Sequence, residues 1–206
     1  MRWLPAVIVV AAFAATALFY PSLPDTIPVH WNFEGEADRT APKFPAALLL
    51  PVITLLVAGL FAALPRMSPK GFSVDPRSRG FRAITIVSLA ALLALHIVTL
   101  AASAGAPVDV GAVVPMIVGL LFVVTGNYLS TLTRNFWIGI RTPWTLASDE
   151  VWFRTHRLGG RLFMAGGVVL MFTGFLEPRG IAVVLTAVIA AAVVVPIVYS
   201  YAVSRS

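Results

Sequence analysis

There is no cysteine anywhere in the 206 residues, which excludes disulfides and thiolate metal sites and leaves the redox compartment undecided. Charge is scarce as well: 12% of residues are charged, and only nine are acidic. A soluble domain keeps about a quarter of its residues charged. A mean hydropathy of +0.90 with 59% apolar residues therefore excludes an ordinary water-soluble fold. The net charge of +6 would suggest nucleic acid in a soluble protein. Here the basic residues gather in short segments between apolar runs, so no direct nucleic-acid contact is expected.

What the chain does have is long apolar runs. A helix needs about 20 apolar residues, and at least about 17, to cross the hydrocarbon layer. Six stretches meet that length: 3–20, 44–64, 81–102, 110–128, 158–176 and 180–201. Backbone amides in lipid must bond within their own segment, so these runs are predicted to be α-helices. The two-residue alternation of transmembrane strands is absent from them. The first run, with Met1-Arg2-Trp3 ahead of it and Ala15-Thr16-Ala17 near its end, has features of a signal peptide; it is expected to stay as a span.

Basic residues fix the expected orientation. The segment after the second run carries Arg66, Lys70, Arg77, Arg79 and Arg82 against Asp75 alone. The segment after the fourth carries Arg134, Arg141, Arg154, Arg157 and Arg161. Short loops rich in Arg and Lys stay in the cytoplasm. Both termini then lie inside, with Arg2 and Arg205 in support. The expected fold class is an all-α integral membrane protein. It has six transmembrane helices, N-in and C-in, with a short structured outer loop and an interfacial inner helix. Three regions follow: 1–64, two spans with the outer loop 21–43; 65–109, a basic inner loop and the third span; and 110–206, three spans with the inner loop 129–157.

Two polar stretches exceed what a connector needs. In the outer one, apolar and polar side chains alternate from Ile27 to Phe33, predicting a short extended segment that ends at a turn around Gly35. Ile27, Val29, Trp31 and Phe33 would face one way, Pro28, His30 and Asn32 the other, with Asp25 and Asp38 nearby. The residues fit a ligand-, cation- or peptide-binding surface (Asp25, His30, Trp31, Asn32, Asp38), His30 being able to change charge near neutral pH. They equally fit a lid whose polar groups bond one another. One histidine among scattered carboxylates is a weak metal signature, so no metal or other cofactor is expected.

The inner stretch runs from Asn135 to Arg157. Pro143 breaks regular structure, and Arg141 lies close enough to Trp144 in sequence to stack on its indole. Ser148 is a suitable N-cap for a helix with Asp149 and Glu150 in its first turn. Glu150 and Arg154 have the favourable i,i+4 order. Trp152, Thr155, His156 and Gly159 share one face. An interfacial helix with arginines reaching headgroups satisfies the same pattern. Inside the spans, Gly160, Gly167 and Gly174 recur every seventh residue, a stripe that lets helices approach closely. His96 in the third run is an intramembrane ionisable group and so a functional candidate; no acid in the spans can pair with it, which favours a hydrogen-bonded structural role.

These two stretches resemble the SdpI family of bacterial membrane immunity proteins. The inner match comprises Asn135, Gly139-Ile140-Arg141-Thr142-Pro143-Trp144-Thr145-Leu146, Trp152 and Thr155-His156-Arg157, then Gly159. The outer stretch, Leu23-Pro24-Asp25 through Pro28, His30-Trp31-Asn32, Gly35, Asp38 and Lys43, is similar to a small module of unknown function that often precedes it. The resemblance implies a non-enzymatic protein that confers resistance to a secreted antimicrobial peptide toxin outside the cell. It also implies a relay to a small transcriptional repressor inside, and it carries no catalytic residues. Two other classes stay open on the residues alone. One is a small transporter or lipid-handling protein using His96; the other is a membrane enzyme using His30 with Asp25 or Asp38.

Overall fold

The computed structural model describes residues 3–32 and 35–206. The first span, α1 (Leu4–Phe19), ends in a 3-10 turn and leads into an antiparallel hairpin, β1 (Thr26–Trp31) and β2 (Ala37–Pro42). Then follow α2 (Lys43–Met67), α3 (Arg79–Ser103) and α4 (Val110–Leu129). A five-residue α5 (Pro143–Ala147) precedes α6 (Asp149–Met171) and α7 (Pro178–Ser204). Among the described residues, six helices (all but α5) are long and apolar enough to cross a membrane. The chain is a mostly helical, multi-pass membrane protein.

Side chains at the helix starts explain the boundaries. Ser78 accepts from Phe81 N at 3.3 Å, Asp109 from Ala112 N at 3.0 Å and Ser148 from Val151 N at 3.3 Å. Each satisfies an amide that lacks an intrahelical partner. The Ser148 cap corrects one expectation. Residues 149–157 are not a separate interfacial helix but the first turns of the fifth span, because Trp152, Thr155, His156 and Gly159 bury one continuous face. Only α5 is left as an independent piece at that end.

The outer loop holds the short extended segment expected of it. Its extended segment is β1, and it pairs with a second strand over residues 37–42. The register runs Thr26↔Pro42, Ile27↔Ala41, Pro28↔Thr40, His30↔Arg39 and Trp31↔Ala37, so Val29 and Asp38 each stand outside it as bulges. These irregularities break the strict two-face alternation expected along β1. Ile27 is fully buried with Leu23, Ala47 and Leu100, whereas Val29 and Trp31 are only partly covered. Phe33 lies outside the described residues, as does Arg2.

The tightest packing joins α4 and α6. A Cβ at Gly126 would lie 2.6 Å from the Gly160 carbonyl oxygen, and one at Gly119 would lie 2.5 Å from that of Gly167. A Cβ at Gly174 would lie 2.8 Å from that of Ala112. Residues 112, 119 and 126 thus meet 174, 167 and 160 as an antiparallel seam of two seven-residue stripes, the close approach expected from the glycine spacing. Gly166 faces the other way, towards Val188 on α7.

Contacts at the helix ends sort the connections into two groups. Gly80 abuts Thr131, Arg134 lies over the Phe72 ring at 5.1 Å, and Trp144 meets Tyr201 edge-on at 5.0 Å. The basic connections 68–78 and 130–148 and the end of α7 therefore share one end of the bundle. At the other end Gly35, in the hairpin turn, rests against Gly111 at the start of α4. The hairpin folds back over the bundle.

The seam predicts a paired result. Gly126→Ala should lower the thermal midpoint in detergent, costing about 1–3 kcal/mol as overpacking against backbone. Gly59→Ala, where a Cβ meets nothing within 4 Å, should leave the midpoint unchanged or slightly raised. Equal midpoints for both variants would show that the seam is not tight.

Candidate functional site

The hairpin end presents the outer candidates. His30 Nδ1 and Asp38 Oδ1 lie 2.5 Å apart, both substantially exposed. The bulge at Asp38 turns its carboxylate to the imidazole. That hydrogen bond is the main cause holding the Asp38 carboxyl below its ordinary value of 3.8, against a weaker opposing effect of desolvation. Asp25 does not join the pair. It sits at the base of the hairpin, where its carbonyl accepts from Lys43 N at 2.8 Å. Lys43 is turned inwards, donating to Leu23 O at 2.7 Å with its ammonium 4.6 Å from the Tyr20 ring. Asn32 closes the turn: its Oδ1 accepts from Glu36 N at 2.9 Å and its carbonyl from Gly35 N at 3.1 Å. Gly35 has φ 77°, which favours glycine.

Beneath the hairpin lies a cavity of about 370 Å³, within the ~300–1,000 Å³ range of ligand pockets. Its walls come from β1 and from α2, α3, α4 and α7, and His96 is part of them. His96 is 1% exposed, with Nε2 2.9 Å from Thr16 Oγ1. The Thr16 hydroxyl also reaches the Ala47 carbonyl at 3.1 Å, so these two residues tie α1, α2 and α3 together. Thr16 was not legible as a partner, because Ala15-Thr16-Ala17 reads as a run of small residues.

At the basic end the inner stretch bonds chiefly to itself. Asn135 Oδ1 accepts from Trp137 N and Ile138 N at 2.9 and 2.8 Å, while Nδ2 donates to Thr133 O and Ile138 O, both at 3.0 Å. One side chain thereby shapes the whole turn. Gly139 follows at φ 115°, and a Cβ there would collide with His156 Nε2. His156 accepts from Ile140 N at 2.9 Å through Nε2, and its Nδ1 meets Trp152 O at 2.8 Å. This network assigns the proton to Nδ1, because a backbone carbonyl can only accept. The ring also stacks on Trp152, with centroids 3.9 Å apart, and Trp152 Nε1 donates to Leu132 O at 2.8 Å.

Thr142 and Thr145 cap α5 reciprocally after Pro143 enters its first turn. Thr145 Oγ1 reaches Ile140 O at 2.9 Å, and Thr142 Oγ1 reaches Ser200 Oγ on α7 at 3.0 Å. The Arg141–Trp144 stack does not form. Arg141 Nη1 donates to Phe136 O at 3.0 Å, and Trp144 packs on Tyr201 instead. Arg134 bonds Asp149 at 2.6 Å and Leu146 O at 2.7 Å, and Arg154 meets Glu150 at 3.5 Å. Arg141 and Arg157 are exposed. Thr155 Oγ1 is fully buried with no partner among the described residues. No three His, Asp or Glu side chains cluster to hold a metal among the described residues.

The His30–Asp38 pair carries a pH prediction. Because the folded-state value of Asp38 is lowered, its contribution to the hairpin is present above the ordinary carboxylate value and is lost as pH falls through the lowered one. Amide exchange at Arg39 and Thr40 should therefore quicken as pH drops through the acid range, after correction for intrinsic exchange. In Asp38→Asn that acid step should disappear; an identical step in both proteins would contradict the pairing.

Comparison with known proteins places both stretches. Residues 131–200 match the model of the SdpI/YfhL protein family, and residues 7–55 match a domain of unknown function, DUF1648. The immunity protein SdpI of Bacillus subtilis (strain 168) is 24% identical over 199 residues, covering 95% of this chain and 91% of that protein. The uncharacterized membrane protein YbgB of the same bacterium is 36% identical over 50 residues, 24% of this chain and 55% of its own length. No solved structure matches. A stretch matching DUF1648 and carrying the hairpin thus precedes a stretch matching the SdpI/YfhL family, built on the self-bonded inner signature, and the chain is similar to the immunity protein SdpI along nearly its whole length.

Proposed function

We propose that this is a non-enzymatic immunity protein of the bacterial cytoplasmic membrane, protecting the cell from a secreted antimicrobial peptide that it meets at the hairpin end. The observation that carries this reading is a polar hairpin folded over a cavity, in a chain similar along 95% of its length to a protein named for immunity. Protection needs recognition rather than turnover, and the hairpin offers recognition groups: His30, Asp38, Asn32 and Trp31 at its surface and rim, with His96 below. The basic end serves as the inward face. Its interior, from Asn135 through His156, is a platform, and the exposed Arg141 and Arg157 on that platform meet lipid phosphates or a small transcriptional repressor. A toxin can signal through such a protein only by binding one of its states better than another.

Heterologous expression in a toxin-sensitive strain tests this directly. The wild-type chain should restore survival. His30→Ala should abolish protection at unchanged membrane abundance, whereas His156→Ala should lower the amount of folded protein as well, because it leaves Ile140 N without its acceptor. Full survival with His30→Ala would contradict the assignment of the hairpin end as the recognition surface.

A further inference from the structure

Towards the basic end of the bundle, α1, α2 and α3 leave a groove of about 560 Å³ between them. Along α2 it runs from Leu55 to Pro65, ten residues, or about 15 Å at 1.5 Å per residue. That is half of the ~30 Å hydrocarbon layer, the depth of one leaflet. Val10 and Leu55 in its walls are exposed, so the groove opens sideways to lipid. The α2 wall is cut back at Gly59, where a Cβ would meet nothing within 4 Å. Thr85 in the α3 wall donates its hydroxyl to Phe81 O at 2.8 Å, so it asks nothing of a ligand. The slot is apolar along its length.

Its mouth is not. Arg82, within the first turn of α3, lines the groove and is the one charged residue among the described residues that do. Among the described residues its guanidinium has no acidic partner. By contrast, Arg134 and Arg154 at the same end pair with Asp149 and Glu150, and Arg66 bonds Ala62 O at 3.2 Å. Asp75, the single acid between Arg66 and Arg82, accepts from the Arg77 amide at 2.8 Å. Arg79 is exposed as well, and a spacing of three residues makes it the neighbour of Arg82 on the helix surface.

We infer that this groove holds one anionic phospholipid of the leaflet at the basic end, with an acyl chain lying along Gly59 and its phosphate on Arg82. A guanidinium matches phosphate geometry with two parallel hydrogen bonds, and basic pockets between spans take anionic headgroups. A zwitterionic lipid would fill the slot equally but bring its own cation to Arg82 and Arg79. Free phosphate would meet Arg82 and leave the apolar slot empty. The site is independent of the immunity reading and lies at the other end of the bundle from the hairpin.

The test uses the full-length protein in detergent, with bound lipids counted by native mass spectrometry. The probes are palmitoyl-oleoyl-phosphatidylglycerol and the phosphatidylcholine with the same chains. The first phosphatidylglycerol should bind at least fivefold more tightly than phosphatidylcholine, and that margin should shrink as salt rises. Arg82→Gln should bring the two lipids to equal affinity, whereas Arg205→Gln, the same loss of charge on α7 outside the groove, should leave the preference intact. Gly59→Leu, which puts a side chain into the slot, should weaken the first site for both lipids at least fivefold. Arg82 is exposed, so its variant decides the matter even if Gly59→Leu misfolds. The inference is overturned by equal affinity for the two lipids in the wild-type protein, by a preference that survives Arg82→Gln, or by displacement of the lipid with inorganic phosphate.

Discussion

A backbone amide in hydrocarbon has no water to bond, and almost everything in this protein follows from that. Six stretches close their hydrogen bonds within themselves as helices, so irregular backbone and charged side chains are driven to the two ends. Inside the bundle, polarity is rationed. Threonine hydroxyls bond back to carbonyls of their own helix, as Thr54 does to Leu50 O and Thr85 to Phe81 O, and His96 is met by Thr16. With little water-driven attraction between helices in lipid, packing supplies the cohesion. That is why α4 and α6 touch backbone to backbone along Gly119–Gly167 and Gly126–Gly160.

The seam also explains why the inner signature is so demanding. Once α4 and α6 are fixed side by side, residues 130–148 must run from the end of one to the start of the other, with Leu132, Asn135, Thr142 and Thr145 buried along the way. Asn135 folds the first turn, Gly139 provides the only backbone that clears the imidazole of His156, and His156 holds Ile140. Thr142 and Thr145 then start α5 and reach α7 through Ser200. The segment is held by the bonds that it makes within itself. The polar side chains at the opposite end, His30 and Asp38 among them, are largely exposed instead.

The spans, the seven-residue glycine stripe, the Ser148 cap and the Glu150–Arg154 pair were legible in the sequence, because each depends on residues close along the chain. What was not legible depends on distant partners. Residues 37–42 show no alternation and are a strand only because β1 pairs with them. The bulges at Val29 and Asp38 bring Asp38 rather than Asp25 to His30. Trp144 and Arg141 are close in sequence, yet each finds a better partner, Tyr201 on α7 for one and the Phe136 carbonyl for the other. The cavity itself has no local signature, since its walls come from the hairpin and four separate helices.

Which end faces the cytoplasm decides whether the hairpin can meet anything secreted. Because the chain has no cysteine, single replacements can be labelled without background. Asn32→Cys should react with a membrane-impermeant maleimide in intact cells, and Trp144→Cys only after permeabilisation. Labelling of position 144 but not position 32 in intact cells would invert the protein and remove the basis for both surfaces as assigned.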